Sequence, residues 1–271
     1  MLETLALGFG AALVLLVLDQ LLRTGANRDV AGRSGPRLLL GARVIALFLL
    51  AGTLVTQCRQ GDLADDLRWM ALFGLVGFAL FELAMRMGST SLRGLQAATR
   101  DDNLAAATAI GAHTIAIGIL LANVCGGHDQ EALAVAAASF VVGQLTLLLV
   151  VALFRVLTAY DDRAQMMSGN LAAALAHGGL TIALALVIAR ATDGEFQGAW
   201  PALRDYGIAV AEGLLMWPLR QLLVQCVILR AAPTLRAGEL DRAIGERGDV
   251  GAGALEAATY LAVACFVVQL P

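Results

Sequence analysis

Two histidines occur in a pair of repeated apolar segments. The segment DNLAAATAIGAHTIA begins at Asp102, and a near copy, GNLAAALAHGGLTIA, begins 67 residues later at Gly169. Each copy contains one histidine, His113 in the first and His177 in the second, but at different places. Because histidine changes charge near neutral pH, a histidine within an apolar segment indicates a place where a proton or an ion could bind.

Two further segments, PRLLLGARVIALFL and DVGAGALEAATYLAVA, align with this pair. Seven residues after the aligned start, three of the four segments carry an ionisable side chain: Arg43, His177 and Glu256. The fourth segment is apolar at this place, but His113 follows three residues later, one helical turn along nearly the same face. The four residues are therefore predicted to form a polar stripe, roughly 10 Å from the helix starts.

Three interpretations of this stripe remain open. An ionisable side chain at the centre of a membrane helix costs about 2.5–3.5 kcal/mol, so it marks a candidate functional site. The stripe could line a path for protons, ions or a small polar solute. Alternatively, the side chains pair to hold the repeats in register, for example Arg43 with Glu256. A third interpretation is that the arginine or the glutamate extends its charged end toward the membrane surface.

The composition places these segments in a membrane. The chain of 271 residues is 59% hydrophobic and 15% charged, with a mean hydropathy of +0.75, whereas a soluble domain carries about 25% charged residues. Apolar runs of roughly the 20 residues that cross a bilayer recur at regular intervals. They predict an all-α integral membrane protein with eight transmembrane helices: Leu2–Leu22, Leu38–Gln57, Trp69–Met85, Asn103–Val124, Leu133–Phe154, Asn170–Ala189, Tyr206–Leu229 and Val250–Leu270.

The arginines predict how these helices are oriented. All 19 basic residues are arginine, and most of them lie in the loops that follow the first, third, fifth and seventh helices. Because loops with many basic residues stay in the cytoplasm, these loops are predicted to be cytoplasmic and both termini to lie outside.

The repeat also predicts how the helices are grouped. Each unit consists of a helix directed inward, a polar turn and a helix directed outward, so the eight helices form four parallel helical hairpins. Turn residues such as Asn or Asp can cap the second helix, and the alanines and glycines that follow allow close helix packing. We expect a bundle with a pseudo-symmetry axis along the membrane normal, made of two four-helix modules, residues 1–126 and 133–271.

The second module resembles the YjfL-like family of bacterial inner-membrane proteins, catalogued as domain of unknown function 350. The resemblance is carried by YDDRAQMMSGNLAAALAHGG, which starts at Tyr160, and by ERGDVGAGALEAATYLA. The first half is similar to a diverged copy of the same module, so the chain resembles a tandem, two-module member. The resemblance implies a location in the bacterial inner membrane and no established chemistry.

Other polar residues within the predicted helices are secondary candidates. Asp19 and Glu82 each lie four residues before an arginine, Arg23 and Arg86, which is the spacing of an ion pair on one helix. The fifth and seventh helices are unusually polar, and Pro218 is expected to kink the seventh as a gate or a packed bend. Their candidates are Gln144, Arg220, Gln221 and Gln225.

The cysteines allow a disulfide but no metal site. Cys58 and Cys125 are 67 residues apart at equivalent outer helix ends, so a disulfide between them is one alternative. The cysteine spacing does not match a metal site, and no nucleotide-binding or catalytic motif is present, so we expect no metal and no cofactor. The cytoplasmic arginines are not interleaved with aromatic residues, which argues against nucleic acid as a partner.

Two functions of different classes follow from the sequence. The first is a permeation protein, a channel or transporter in which Arg43, His113, His177 and Glu256 line a polar route. The second is a membrane scaffold or envelope-stress component that recruits cytoplasmic proteins through its inner turns. An intramembrane enzyme ranks below both, because no nucleophile and base are recognisable. The lipid bilayer is the expected partner, together with a second copy of the chain or a cytoplasmic protein.

Overall fold

The computed structural model describes residues 2–23, 32–91, 94–192, 198–232, 234 and 237–270. Over these ranges the chain is helical and contains no strand. Eleven α-helices follow one another, and a π-helical turn over Gln221–Ile228 continues the ninth. They are α1 (Leu2–Leu22), α2 (Ser34–Gln57), α3 (Leu63–Ser91), α4 (Leu95–Arg100), α5 (Leu104–Val124), α6 (Gln130–Leu157), α7 (Asp162–Met167), α8 (Leu171–Arg190), α9 (Ala199–Arg220), α10 (Glu239–Gly245) and α11 (Val250–Val268).

Eight of these helices are long and apolar enough to cross a membrane: α1, α2, α3, α5, α6, α8, α9 and α11. The prediction of an all-α membrane protein with eight spans is therefore confirmed. The largest difference is in α3, which extends about two turns beyond the predicted Trp69–Met85 at each end. Polar residues such as Asp65 and Asp66 continue the helix there, because a helix need not end where its apolar segment ends.

The membrane helices form two rows. The inner row runs α2, α5, α8, α11, each helix packed along the next, and the outer row of α1, α3, α6 and α9 packs against it. Small residues allow the close approach within the inner row. A Cβ added to Gly178 of α8 would lie 2.9 Å from the Cβ of Ala112 of α5. Such faces of Gly and Ala replace the hydrophobic effect as the basis of helix association in lipid.

The inner row is open. Among the helices that the structure describes, α2 and α11 share no extensive contact, since α5 and α8 lie between them. The helices are therefore arranged side by side, which differs from the expected bundle around a central axis. The physical reason is that α5 and α8 carry small residues on two opposite faces, so each stacks between two neighbours.

A short helix precedes each of three long helices: α4 precedes α5, α7 precedes α8 and α10 precedes α11. These short helices occupy segments that were predicted to be turns. The predicted helix caps follow them: the side chains of Asn103, Asn170 and Asp249 accept hydrogen bonds from backbone N–H groups in the first turn of the next helix. The residue before each cap has a positive φ, which ends the short helix and turns the chain into the long one: Asp102 (65°), Gly169 (91°) and Gly248 (61°).

The caps also join one repeat to the next. The Nδ2 group of Asn103 donates to the carbonyl oxygens of Met166 and Met167 at the end of α7, at 3.0 Å in both cases. Asn170 Nδ2 donates in the same way to the carbonyl of Ile244 at the end of α10, at 2.8 Å. These bonds place the three short helices on one side of the molecule, which we name the cap face. The opposite side is named the far face.

Some of the residues on which the predicted orientation and module limits rest lie outside the described ranges. Arg28, Arg93 and Arg236, three of the arginines that predict the orientation, lie outside the described residues, as do residues 1 and 271 at the limits of the predicted modules. The assignment of the cap face to the cytoplasm therefore stays a prediction.

Candidate functional site

Buried ionisable side chains gather at three places along the inner row. At one end is the Arg43 cluster, made of Asp19, Arg43 and Glu82. At the other end is the Arg220 cluster, made of Arg220, Asp241 and Glu256. Between them, His113 and His177 line a small cavity, which we name the histidine cavity.

The Arg43 cluster joins three membrane helices. Arg43 of α2 donates from Nε to Asp19 Oδ1 of α1 at 2.7 Å, and its Nη2 group pairs with both Asp19 and Glu82 of α3. The ring of Phe81 lies 4.9 Å from the guanidinium carbon and adds a cation–π contact. Asp19 also reaches Arg23, at 3.9 Å, as its spacing predicted, but its close partner is Arg43.

The Arg220 cluster repeats this pattern with other elements. Arg220 Nη2, at the end of α9, lies 2.7 Å from Glu256 Oε1 of α11 and 3.0 Å from Asp241 Oδ1 of the short helix α10. Trp217 covers the guanidinium, with 5.0 Å from its ring centroid to the guanidinium carbon. Asp241 Oδ2 accepts a further hydrogen bond from the backbone N–H of Ala237. Each cluster thus holds one guanidinium between two carboxylates, which offsets the cost of burying all three.

The histidine cavity lies where α5, α6 and α8 meet. Its volume is about 20 Å³, enough for about one water molecule. Its polar walls are His113, His177, Arg155 and Thr181, and its apolar walls are Leu147, Leu148, Val151 and Ala152. Both histidines are more than nine-tenths buried. In the part of the chain that the structure describes, His113 Nε2 and His177 Nδ1 have no hydrogen-bond partner.

Close helix packing holds the two histidines in place. His113 and His177 differ by one helical turn in the repeat, and the tight contact of α5 with α8 at Ala112 and Gly178 brings them to the same cavity. Gly88 of α3 lies directly against the His113 ring, since an added Cβ would come within 2.6 Å of Nε2. A larger residue at position 88 would displace the ring, so this glycine determines where the imidazole lies.

Polar residues extend from this cavity in both directions across the membrane. Toward the cap face, Arg155 Nε lies 3.7 Å from Asp162 Oδ2 of α7. Toward the far face, Gln144 lies on the same side of α6 as Arg155, about 16 Å along the helix. Both amide atoms of Gln144 are buried and have no partner within the described residues. We name Asp162, Arg155, His177, His113 and Gln144 the polar column.

Asp162 is the titratable group of the column outside the membrane-spanning helices. It is buried beside the start of α7, and this burial raises the pKa of its carboxyl group to about 7. The guanidinium of Arg155 acts in the opposite direction and lowers the pKa. The carboxyl group therefore gains or loses a proton near neutral pH.

The structure divides the predicted stripe into three parts. It brings His113 and His177 together, whereas Arg43 and Glu256 lie at opposite ends of the inner row, separated by α5 and α8. Arg43 and Glu256 do not pair with each other but with the partners named above. Of the secondary candidates, Asp19 and Glu82 belong to the Arg43 cluster, Arg220 to the other cluster and Gln144 to the polar column.

The remaining secondary candidates lie in the π-helical turn after Pro218. This turn begins at Gln221, and both Gln221 and Gln225 are buried in it. The Gln225 side chain donates to the carbonyl of Ala232 at 3.2 Å and accepts from the backbone N–H of Leu240 at 3.5 Å. The turn therefore helps to hold α10, and with it Asp241, against the end of α9.

The two outer cysteines are buried near the far face as free thiols. Burial raises the pKa of both Cys58 and Cys125, which keeps the thiols protonated and poorly reactive. Across the described ranges, no three His, Cys, Asp or Glu side chains lie close enough together to hold a metal ion.

Three residues of these sites were missed in the sequence analysis: Arg155, Asp162 and Asp241. Arg155 and Asp162 flank a predicted helix end, where charged residues normally face water, so their burial had no signal in the sequence. Asp241 lies in a short helix that was interpreted as a turn. Glu256 and Arg220 neutralise each other, so charge balance gave no indication of this third member.

Comparison with known proteins places the second half of the chain in a family. The model for the family described as Domain of Unknown Function (DUF350) matches residues 128–270. This range holds α6 to α11, and with them the Arg220 cluster and all of the polar column except His113. No curated protein and no solved structure matches the chain. Because the family model covers more than half of its length, the chain belongs to the DUF350 family.

Proposed function

We propose that the protein is a permeation protein of the bacterial inner membrane, with the cap face in the cytoplasm, and that it moves protons along the polar column. One observation carries the proposal. Two buried histidines with unpartnered ring nitrogens share a cavity that lies in line with Arg155 and Asp162 on one side and Gln144 on the other. A buried polar atom without a partner costs about 1–3 kcal/mol, so its retention in the membrane favours a functional role.

The size of the cavity favours protons over the other two species considered, an ion or a small polar solute. A space of about 20 Å³ holds about one water molecule, whereas a hydrated metal ion or a solute needs more. A histidine can accept a proton on one ring nitrogen and release it from the other.

Asp162 supplies the entrance on the cap face. Because the pKa of its carboxyl group is about 7, Asp162 exchanges protons at physiological pH. His177 lies about 9 Å and His113 about 14 Å from the starts of their helices. The order of depth from the cap face is therefore Asp162, His177, His113, and then Gln144.

Toward the far face, α6 packs closely on its neighbours beside Gln144. Gly143 faces Ile188 of α8 and Leu120 of α5, which lie 3.5 and 3.7 Å from the position of an added Cβ. We propose no catalytic activity for the protein.

Proton flux into liposomes tests the proposal. The full chain is reconstituted into vesicles that contain a pH-sensitive dye, and a potassium gradient with valinomycin drives proton uptake. We expect uptake by the unmodified protein and an at least tenfold slower rate for His177→Leu and for His113→Leu. The matched control is His128→Leu, which removes the third histidine, outside the column. Vesicles that stay tight to protons with the unmodified protein, or equal rates in all variants, overturn the proposal.

A second candidate function is a scaffold that recruits proteins at the cap face. It is favoured by the belt of α4, α7 and α10, which the Asn103 and Asn170 side chains hold in register. The outer surface of α10 carries exposed charges, with Glu239 paired to Arg247 at 2.8 Å and to Arg242 at 3.1 Å. Arg247 lowers the pKa of Glu239, so the carboxylate stays ionised.

Crosslinking in cells tests this second function. Charge reversal by Arg242→Glu with Arg247→Glu should abolish capture of partners at the cap face and leave proton flux unchanged. If every crosslinked partner is still captured by the double variant, the scaffold function is contradicted.

A further inference from the structure

An apolar groove lies between α1 and α3, on the side of the molecule away from the polar column. Its volume is about 570 Å³, which lies within the roughly 300–1,000 Å³ of small-molecule sites. Leu54 of α2 contributes to its lining, and its walls come from one face of each outer helix: Ala6, Leu7, Gly10, Ala11, Val14, Leu15 and Leu18 of α1, and Leu67, Met70, Ala71, Gly74 and Leu75 of α3.

The groove opens sideways into the bilayer. Val14 and Leu75, on opposite walls, are 59% and 58% exposed. The space in front of Gly10 is open, because a Cβ added there would meet no atom within 4 Å. An occupant therefore enters from the lipid and contacts apolar side chains along about 18 Å of α1.

Charged side chains around Arg59 mark the far-face end of the groove. Arg59 links the first turns of both walls: it donates to Thr4 Oγ1 of α1 at 2.9 Å, lies 3.4 Å from Glu3 and 4.0 Å from Asp66 of α3. The next charged pair of α3, Arg68 (67% exposed) with Asp65 at 4.0 Å, does not line the groove. The groove thus has one polar end, at the level of lipid headgroups.

The charges at this end select the kind of headgroup. Asp66 is buried and accepts from the backbone N–H groups of Gln60 and Gly61, so it is already satisfied. The accessible charges at this end are the guanidinium group of Arg59, 29% exposed, and the carboxylate of Glu3, 67% exposed. A guanidinium group binds phosphate, while the carboxylate attracts an ammonium group and repels a second negative charge.

We propose that the groove is a binding site for one zwitterionic phospholipid with a primary ammonium headgroup. Its acyl chain lies between α1 and α3, its phosphate contacts Arg59, and its ammonium group faces Glu3. A helix of a partner protein does not fit, because α1 and α3 contact each other directly and a helix between them would need about 8–10 Å to each axis.

Native mass spectrometry of the full chain in mild detergent tests the site. The protein is titrated separately with phosphatidylethanolamine, phosphatidylglycerol and phosphatidylcholine of identical acyl chains. We expect one phosphatidylethanolamine molecule to bind at least five times more tightly than phosphatidylglycerol. Gly10→Leu combined with Ala71→Leu fills the groove and should lower the bound fraction at least tenfold. The matched control, Ala138→Leu, adds the same side chain to an exposed position of α6 and should change nothing.

Two outcomes overturn the proposal: equal or tighter binding of phosphatidylglycerol or phosphatidylcholine, or unchanged lipid binding by the groove-filling variant. A second measurement uses the unmodified protein, in case the double variant is unstable. Phosphatidylethanolamine with a diazirine in its acyl chain is photo-crosslinked in phosphatidylcholine vesicles, and the labelled peptides are identified. Adducts concentrated in α1 and in the first half of α3 support the site, whereas adducts spread evenly over the lipid-facing helices show annular lipid only and overturn it.

Discussion

The ends of the inner helix row and its centre differ in how their buried polar groups are balanced. At both ends, one arginine is held between two carboxylates, although single atoms of these groups, such as Arg220 Nε and Glu256 Oε2, have no hydrogen-bond partner among the described residues. At the centre, the ring nitrogens of His113 and His177 and the amide of Gln144 have no partner among the described residues. Paired charges stabilise the packing of helices, whereas unpaired polar groups cost free energy and favour a functional explanation. The comparison therefore separates polar residues that hold the fold from polar residues available for chemistry.

The two end clusters also differ from each other. The Arg43 cluster is built from three membrane helices, and the side chain of Glu82 is 23% exposed. The Arg220 cluster includes the short helix α10, and none of its three side chains is more than 3% exposed. The same charge pattern is thus more tightly enclosed in the half that matches the DUF350 family.

The largest expected effect is on the stability of the Arg220 cluster. Arg220→Met leaves two buried carboxylates without a counter-charge, and breaking a buried ion pair in this way costs about 3–5 kcal/mol. Arg43→Met should cost less, because Glu82 is partly exposed. Unfolding in detergent, followed by circular dichroism, measures both losses. The exposed Arg68→Met is the control, and an equal loss in all three variants would contradict the difference between the clusters.

A pH-dependent effect is expected at Asp162. The pKa of its carboxyl group is raised from 3.8 to about 7 by burial, so the folded protein binds more protons than the unfolded chain between these values. Stability from this group is therefore greatest below about pH 4 and falls as the pH rises to about 7, by on the order of 1–4 kcal/mol. Asp162→Asn should flatten the dependence of unfolding free energy on pH over this window. A dependence as steep as in the unmodified protein would refute the assignment.

A smaller effect is expected at the caps between the repeats. Asn170→Ala removes the helix cap and the hydrogen bond to Ile244, and a lost cap costs about 0.5–2 kcal/mol. Asn103→Ala should cost a similar amount for the same reason. Asn123→Ala is the matched control, since its exposed side chain donates to Ile119 within its own helix. The unfolding free energies of the three variants provide the measurement. If Asn123→Ala loses as much stability as the two cap variants, the role of the caps in joining the repeats is contradicted.

The smallest effect on stability is expected at the centre of the row. His177→Leu removes a buried nitrogen that has no partner in the described structure, so the unfolding free energy should change by less than about 1 kcal/mol or increase. Unfolding in detergent, followed by circular dichroism, measures this change in parallel with that of Arg220→Met. A loss as large as that of Arg220→Met would show that the histidine supports the fold, and the distinction between the ends and the centre would fail.

The repeat pattern predicted part of the fold and part of the site. Apolar segments of sufficient length predicted eight membrane helices, and Asn103, Asn170 and Asp249 were correctly placed at helix starts. The two histidines were predicted to share a face, and they line one cavity. Arg43 and Glu256 were placed in the same stripe, but equal depth in four helices does not bring side chains together when the helices stand in an open row.

The sequence by itself determined the membrane location of the chain, the number of its long helices and the polar residues buried with them, because hydrophobicity and helix length act locally along the chain. Only the tertiary structure decided which charges meet. Arg43 pairs with Asp19 and Glu82, and Arg220 with Asp241 and Glu256, because helix neighbours depend on the packing of small residues between α2, α5, α8 and α11. That packing places α5 and α8 at the centre and brings their two histidines together, where His113 Nε2 and His177 Nδ1 have no hydrogen-bond partner among the described residues.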